Sequence, residues 1–73
     1  MNDFRKFLKK ILIDEDITLT EVVERLNKKN NNDDTVQNLS NKLSRNTLKY
    51  QEAKDIAEVI GYEIIWVKKN NIR

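Results

Sequence analysis

The residues best suited to chemistry in this sequence lie between Thr35 and Arg45, where amide and cationic side chains recur at helical spacing. At about 100° of rotation per residue, one side of a helix here is apolar and the other is polar. The apolar side holds Val36, Leu39 and Leu43, with Ser40 beside them. The polar side holds Gln37, Asn38, Asn41, Lys42 and Arg45. Since amide and guanidinium groups pair with adenine and guanine edges, this segment predicts a helix that reads the major groove of DNA.

Charge is unevenly distributed along the chain, although the net charge is only +2. Residues 1–36 carry seven Lys or Arg and eight Asp or Glu, whereas residues 37–73 carry seven against four. The charged residues between Thr35 and Tyr50 are Lys42, Arg45 and Lys49, with no acid among them. A basic stretch of this kind is where a phosphate backbone is expected to lie.

Composition limits the classes of function. A chain of 73 residues is expected to form one domain spanning residues 1–73. It has no Cys and no His, so we expect no metal site of the usual kind, no cofactor and no Cys or His nucleophile. The contiguous acids Asp14, Glu15 and Asp16 are interpreted as an exposed linker, and catalysis is not expected. No apolar run approaches the roughly 20 residues needed to cross a bilayer, and no signal peptide is recognised, which predicts a cytoplasmic protein.

Hydrophobic spacing predicts a mainly α fold, with four helices in a helix-turn-helix arrangement and a C-terminal β-strand. The predicted helices span about residues 4–13, 18–28, 35–45 and 50–60, and the strand about 62–67. The expected core faces are Phe4, Phe7, Leu8, Ile11 and Leu12 in the first helix, Leu19, Val22, Val23 and Leu26 in the second, and Ala53, Ile56, Ala57 and Ile60 in the fourth. Asp3 is expected to cap the first helix and Thr18 or Thr20 the second, and Thr18 and Glu21 have capping-box spacing. The third helix is expected to be capped by Asp33, Asp34 or Thr35. Gly61, the only glycine, follows the fourth helix where a left-handed residue is favoured.

Two features outside the third helix have alternative interpretations. The first helix carries Arg5, Lys6, Lys9 and Lys10 on its outer face, and we interpret them as solubilising lysines and arginine rather than as phosphate contacts. The predicted strand has no second strand in the chain with which to pair. It is expected to pair with the same strand of a second copy, through Ile64, Ile65, Trp66 and Val67. The alternatives are that the segment lies extended over the first helix or continues as helix.

The order of these elements resembles the lambda-repressor and Cro-like (XRE-type) helix-turn-helix family over most of the chain. Residues 17–26, ITLTEVVERL, are similar to the first motif helix, and residues 35–45, TVQNLSNKLSR, to the recognition helix. Residues 56–62, IAEVIGY, are similar to the closing helix and its glycine. The turn between the motif helices is longer than is usual in the family. The resemblance implies operator binding and transcriptional control, often by a prophage-type repressor.

The resemblance, together with the polar face of the third helix, gives a set of expected DNA contacts. Base contacts are expected from Gln37, Asn38, Asn41 and Arg45. Phosphate contacts are expected from Thr35, Lys42 and Lys49. The alternative function is a protein-interaction module, such as an adaptor, an antitoxin or an inhibitor, and the salt dependence of binding would distinguish the two.

Overall fold

The computed structural model describes residues 3–70, which form four helices and contain no strand. The helices are α1 (Asp3–Glu15), α2 (Leu19–Asn30), α3 (Val36–Arg45) and α4 (Tyr50–Val59). The prediction of a mainly α fold with four helices is therefore confirmed. None of the helices in this part of the chain has the length and apolar character needed to cross a membrane.

The core is aliphatic and draws on all four helices. Its buried residues are Leu8, Leu12, Val22, Val23, Leu39, Leu43, Ile56 and Ile60. Val22 and Ile56 are almost completely buried, and α2 contacts both α3 and α4 while α1 contacts α3. The predicted core faces are confirmed except at Phe7, whose side chain is 62% exposed. Phe7 lies at the edge of the α1 apolar stripe, beside the C-terminal residues and outside the core.

Side-chain caps begin the two helices of the predicted motif. At α2, Thr18 Oγ1 accepts from the Glu21 N–H at 3.1 Å, and Glu21 Oε1 accepts from the Thr18 N–H at 3.0 Å. At α3, Thr35 Oγ1 accepts from the Asn38 N–H at 3.1 Å, which confirms Thr35 among the three candidate caps and begins the helix one residue later than predicted. Asp3, predicted to cap α1, is its first helical residue, and its side chain lies outside the described part of the chain.

Each of the four helices is followed by a residue with positive φ. These residues are Asp16 (57°), Asn31 (54°), Asn46 (58°) and Gly61 (86°). After each one, the next backbone N–H bonds to a carbonyl five residues earlier, at 2.8–3.0 Å, as in the Schellman motif. The prediction for Gly61 is confirmed. The other three positions show that this chain also ends helices with Asn and Asp, which tolerate the left-handed conformation better than most residues.

Two helices extend beyond their predicted ends. α1 was expected to stop at residue 13 because acids oppose the helix dipole, but it continues to Glu15. The Schellman motif at Asp16 satisfies the last carbonyls, and the unfavourable dipole term is only about 0.3–1 kcal/mol. α2 continues to Asn30 and ends at the left-handed Asn31. In its last turn, Lys29 Nζ lies 2.8 Å from Glu58 Oε1 and 3.7 Å from Asp55 Oδ1 of α4.

The C-terminal segment, residues 62–67, is not the predicted strand and has no regular secondary structure. A strand requires a neighbouring backbone, and residues 3–70 of one chain provide none. Side chains hold the segment instead. Tyr62 Oη donates to Glu15 Oε2 at 3.0 Å, and Trp66 Nε1 donates to Tyr50 Oη at 3.0 Å. The segment therefore passes from the end of α1 to the beginning of α4.

Candidate nucleic-acid interface

The outer face of α3 displays the side chains that were predicted to contact bases. Gln37, Asn38, Asn41 and Arg45 are all exposed, whereas Leu39 and Leu43 on the opposite face are each only 6% exposed. The predicted division of this helix into a core side and a polar side is confirmed. Arg45 is the last residue of α3, so its long side chain extends the polar face beyond the helix.

Two of these amides are joined to each other. Gln37 Nε2 donates to Asn41 Oδ1 at 3.0 Å, across one turn of α3. The pair thereby leaves an amide oxygen on Gln37 and an amide NH₂ on Asn41 for an external partner. An acceptor beside a donor is complementary to adenine, which offers its N6 amino group and its N7 lone pair in the major groove.

Asn38 is bound within the chain. Its Nδ2 donates to Asp34 Oδ1 at 2.9 Å, and the same carboxylate oxygen accepts from the Thr35 N–H at 2.9 Å. Both bonds lower the pKa of the Asp34 carboxyl below its ordinary value, and the bond from Asn38 has the larger effect. Asn38 would have to leave Asp34 to contact a base, and the Thr35 hydroxyl already caps α3.

Lys42, a predicted phosphate contact, is directed toward α4. Its Nζ lies 2.5 Å from Glu52 Oε2, and both side chains are partly buried. The Glu52 carboxylate raises the pKa of Lys42, and the Lys42 ammonium lowers the pKa of Glu52. This contact was not anticipated from the sequence. No local spacing indicated it, since Glu52 is ten residues away on another helix. Glu52 Oε1 also accepts from the Lys49 N–H at 2.9 Å, which caps the start of α4.

The remaining predicted cations are on the surface. Lys49 precedes α4 and is exposed, as is Arg45. Neither forms an ion pair with another residue in the described range 3–70. Of the three cations in the basic stretch, the Arg45 guanidinium and the Lys49 ammonium are therefore available to an anion. The Lys42 ammonium is not, because it is paired with Glu52.

A groove between α1 and α3 adds cations that the sequence interpretation left aside. It has a volume of about 300 Å³, and its lining residues are Arg5, Leu8, Lys9, Leu12, Ile13, Ile17, Leu19, Ser40 and Leu43. Arg5 and Lys9 are four residues apart and so lie on the same side of α1. That spacing was the signal in the sequence, but it did not reveal that this side adjoins α3.

The residues expected to form a dimer interface lie in the C-terminal segment. Ile64 is partly buried beside Phe7 and Ile11. Ile65, Trp66 and Val67 are exposed by 67%, 86% and 76%. Three consecutive large apolar residues thus face solvent in one copy of the chain.

No protein-family model, no curated protein and no solved structure matches this sequence. The functional interpretation therefore depends on the geometry and chemistry of α3 and its neighbours.

Proposed function

We propose that this chain is a sequence-specific double-stranded DNA-binding protein of the lambda-repressor-like helix-turn-helix type, acting as a cytoplasmic transcriptional repressor. α2 and α3 form the motif, and α3 enters the major groove. The observation that carries the proposal is the exposed row of Gln37, Asn41 and Arg45 opposite the buried leucines of α3. Amide and guanidinium groups on one face of a short helix are the groups that read base edges.

The connection between the motif helices supports the proposal because it fixes the position of α3. The side chain of Asn27, in α2, bonds to both backbone groups of Asp34, just before α3 begins. Lys42 and Glu52 join α3 to α4 on one side. A reading helix must be held rigidly by its scaffold, since a displaced helix presents its side chains to the wrong bases.

The first test is a titration of the protein into labelled random-sequence duplex DNA, followed by fluorescence anisotropy at 50 mM and 200 mM salt. Binding through phosphate contacts should weaken steeply as salt increases. We expect micromolar binding at the lower salt and a large loss at the higher salt. The absence of binding at low salt would overturn the proposal.

A second test uses DNA selected from a random pool and compares base-contact variants. Asn41→Ala and Arg45→Ala should each weaken binding by about 1–3 kcal/mol and relax sequence preference. Lys54→Gln is the matched control, because Lys54 lies on α4 above the Tyr50 ring and outside the polar face of α3. If neither α3 variant affects selected-site binding, the assigned face is wrong.

The proposed active form is a homodimer in which the C-terminal segments of two copies pair. Two observations support this pairing. Residues 65–67 are exposed and apolar, and the backbone of residues 62–67 forms no strand within one chain. The test is analytical ultracentrifugation of a variant carrying Ile65→Lys and Val67→Lys. It should sediment as a monomer with unchanged helix content. Ile13→Lys adds a charge at a similarly exposed apolar residue of α1 and should leave a dimer intact.

A protein-interaction module is the second candidate function, and the ion pair between Lys42 and Glu52 favours it. That pair removes one of the cations expected to meet phosphate. The exposed apolar residues of the C-terminal segment also suit a protein partner. The salt titration separates the candidates, because protein contacts between apolar surfaces depend much less on salt than phosphate contacts do.

A further inference from the structure

We infer that the DNA backbone flanking the reading helix lies on the α1 side of α3 and is contacted by Lys9. This inference rests on the proposed DNA binding and adds which side of α3 the phosphates occupy. It assigns a binding role to a residue of α1, whose basic face has no such role in the sequence interpretation.

The α4 side of α3 is unfavourable for a phosphate. The Asp34 carboxylate lies at the N-terminus of α3, where it accepts from Asn38 and Thr35. On the same side, Glu52 neutralises Lys42, and the Asp55 carboxylate lines the cavity that these residues share. Asp55 also lies 3.7 Å from Lys29 Nζ, so this flank holds three carboxylates and two lysines and keeps a net negative charge. A phosphodiester placed among these side chains would meet repulsion, because Lys29 and Lys42 already have carboxylate partners.

The α1 side of α3 has the opposite character. Lys9 lines the groove together with Ser40 of α3, and Arg5 lines it one helical turn earlier. Among residues 3–70, no acidic residue lines this groove. Lys9 is exposed and forms no ion pair with the residues described here. A phosphate beside Ser40 would therefore meet an ammonium group that has no carboxylate partner in the described part of the chain.

The contrast between the two flanks orients the duplex. α3 presents Gln37 and Asn41 between an acidic flank and a basic flank. A bound strand is drawn toward Lys9, and the ammonium supplies the counterion exchange that gives DNA binding its salt dependence. The floor of the groove is apolar, formed mainly by leucine and isoleucine side chains, so Lys9 can extend along it toward the phosphate.

The chain offers a matched control on the same helix. Lys10 follows Lys9 by about 100° around the helix axis, which places it farther from α3. Lys10 is exposed but does not line the groove. Lys9→Gln and Lys10→Gln remove the same charge from adjacent positions of one helix, so any non-specific effect of net charge is equal in the two variants.

The experiment measures the dependence of log affinity on log salt for the unmodified protein and both variants, with random-sequence duplex DNA as the probe. We expect Lys9→Gln to reduce the magnitude of the slope by about 1, the loss of one phosphate contact, and Lys10→Gln to leave it nearly unchanged. Circular dichroism at 222 nm verifies that both variants keep the helix content of the unmodified protein.

The outcomes distinguish this inference from the proposed function. If the unmodified protein binds DNA with a steep salt dependence but both lysine variants change the slope equally, or neither does, the α1 contact is wrong and DNA binding stands. If the unmodified protein shows no salt-dependent DNA binding at all, the proposed function is wrong, and the α1 contact is wrong with it.

Discussion

Asn27 binds both backbone groups of Asp34, seven residues later in the chain. Its Nδ2 donates to the Asp34 carbonyl at 3.0 Å, and its Oδ1 accepts from the Asp34 N–H at 2.9 Å. A single amide side chain thus satisfies both the N–H and the C=O of one loop residue. The turn between α2 and α3 is long, and this clamp gives it a defined end next to the Thr35 cap.

Asn27→Ala should lower the free energy of unfolding by about 1–2 kcal/mol, because two backbone hydrogen bonds lose their partner. Urea unfolding followed by circular dichroism at 222 nm measures the change. Asn30→Ala is the control, since Asn30 ends α2 and makes no side-chain hydrogen bond with any residue in the range 3–70. Equal effects from the two substitutions would show that the clamp contributes nothing.

The ion pair of Lys42 and Glu52 predicts a pH-dependent contribution to stability. The lowered pKa of Glu52 stabilises the fold above about 4.5, its ordinary value, and the contribution is lost as pH falls through the folded pKa. The raised pKa of Lys42 stabilises the fold below 10.5, and the contribution is lost as pH rises through the folded pKa. The ion pair therefore makes its full contribution to stability between about pH 4.5 and pH 10.5.

Glu52→Gln should consequently lower the free energy of unfolding by about 0.5–1 kcal/mol at pH 7 and by much less at pH 3. The magnitude is small because both side chains of the pair are about one-third exposed. Glutamine keeps an oxygen that can accept from the Lys49 N–H, so the cap of α4 is retained. Glu63→Gln removes the same charge from an exposed position that forms no ion pair within the described residues. A cost for Glu52→Gln that is independent of pH would contradict an electrostatic origin.

The hydrogen bond between Gln37 and Asn41 predicts that these two residues act together in DNA binding. Each alanine substitution removes a base contact and also the bond that orients the other amide. A double-mutant cycle on a selected DNA site should give a coupling energy above 0.5 kcal/mol. The control cycle joins Gln37 to Arg45, with which it shares no hydrogen bond, and should be additive within about 0.5 kcal/mol. Additivity in both cycles would count against a joint role.

The left-handed position after α1 predicts a stabilising substitution. Asp16 has φ of 57° and is an acid at a helix C-terminus, where it opposes the dipole. Asp16→Asn removes the charge and keeps a residue suited to this conformation, so the free energy of unfolding should rise by about 0.3–1 kcal/mol. Asp16→Ala removes the same charge but is strained at positive φ, and it should be less stable than the asparagine variant. Thermal unfolding ranks the three proteins.

Local sequence patterns predicted most of the fold because short-range physics determines it. The apolar face of α3, the Thr18 and Glu21 capping box and the glycine after α4 all follow from spacing within one or two helical turns. The ends of α1 and α2 did not follow in the same way. Both helices end at a residue with positive φ, Asp16 and Asn31, whereas a left-handed helix end was predicted only at Gly61.

The candidate interface was predictable only in part. Helical spacing correctly placed Gln37 and Asn41 on the surface, but it gave no information about their bond to each other. The partner of Lys42 is ten residues away on another helix, and the position of Lys9 beside α3 is a tertiary relationship. The predicted strand depended on β-propensity alone, whereas strand formation requires a neighbouring backbone.

The eight buried residues within the described range are all aliphatic, and the only tryptophan of the sequence lies in the C-terminal segment, where it contacts Tyr50. Intrinsic fluorescence therefore reports on that segment, and the amide ellipticity reports on the helices. Denaturation followed by the two signals should give separate curves, with emission changing first as Trp66 leaves Tyr50. An unfolding midpoint read from tryptophan emission would describe the detachment of a terminal segment and would underestimate the resistance of the helical core to denaturant.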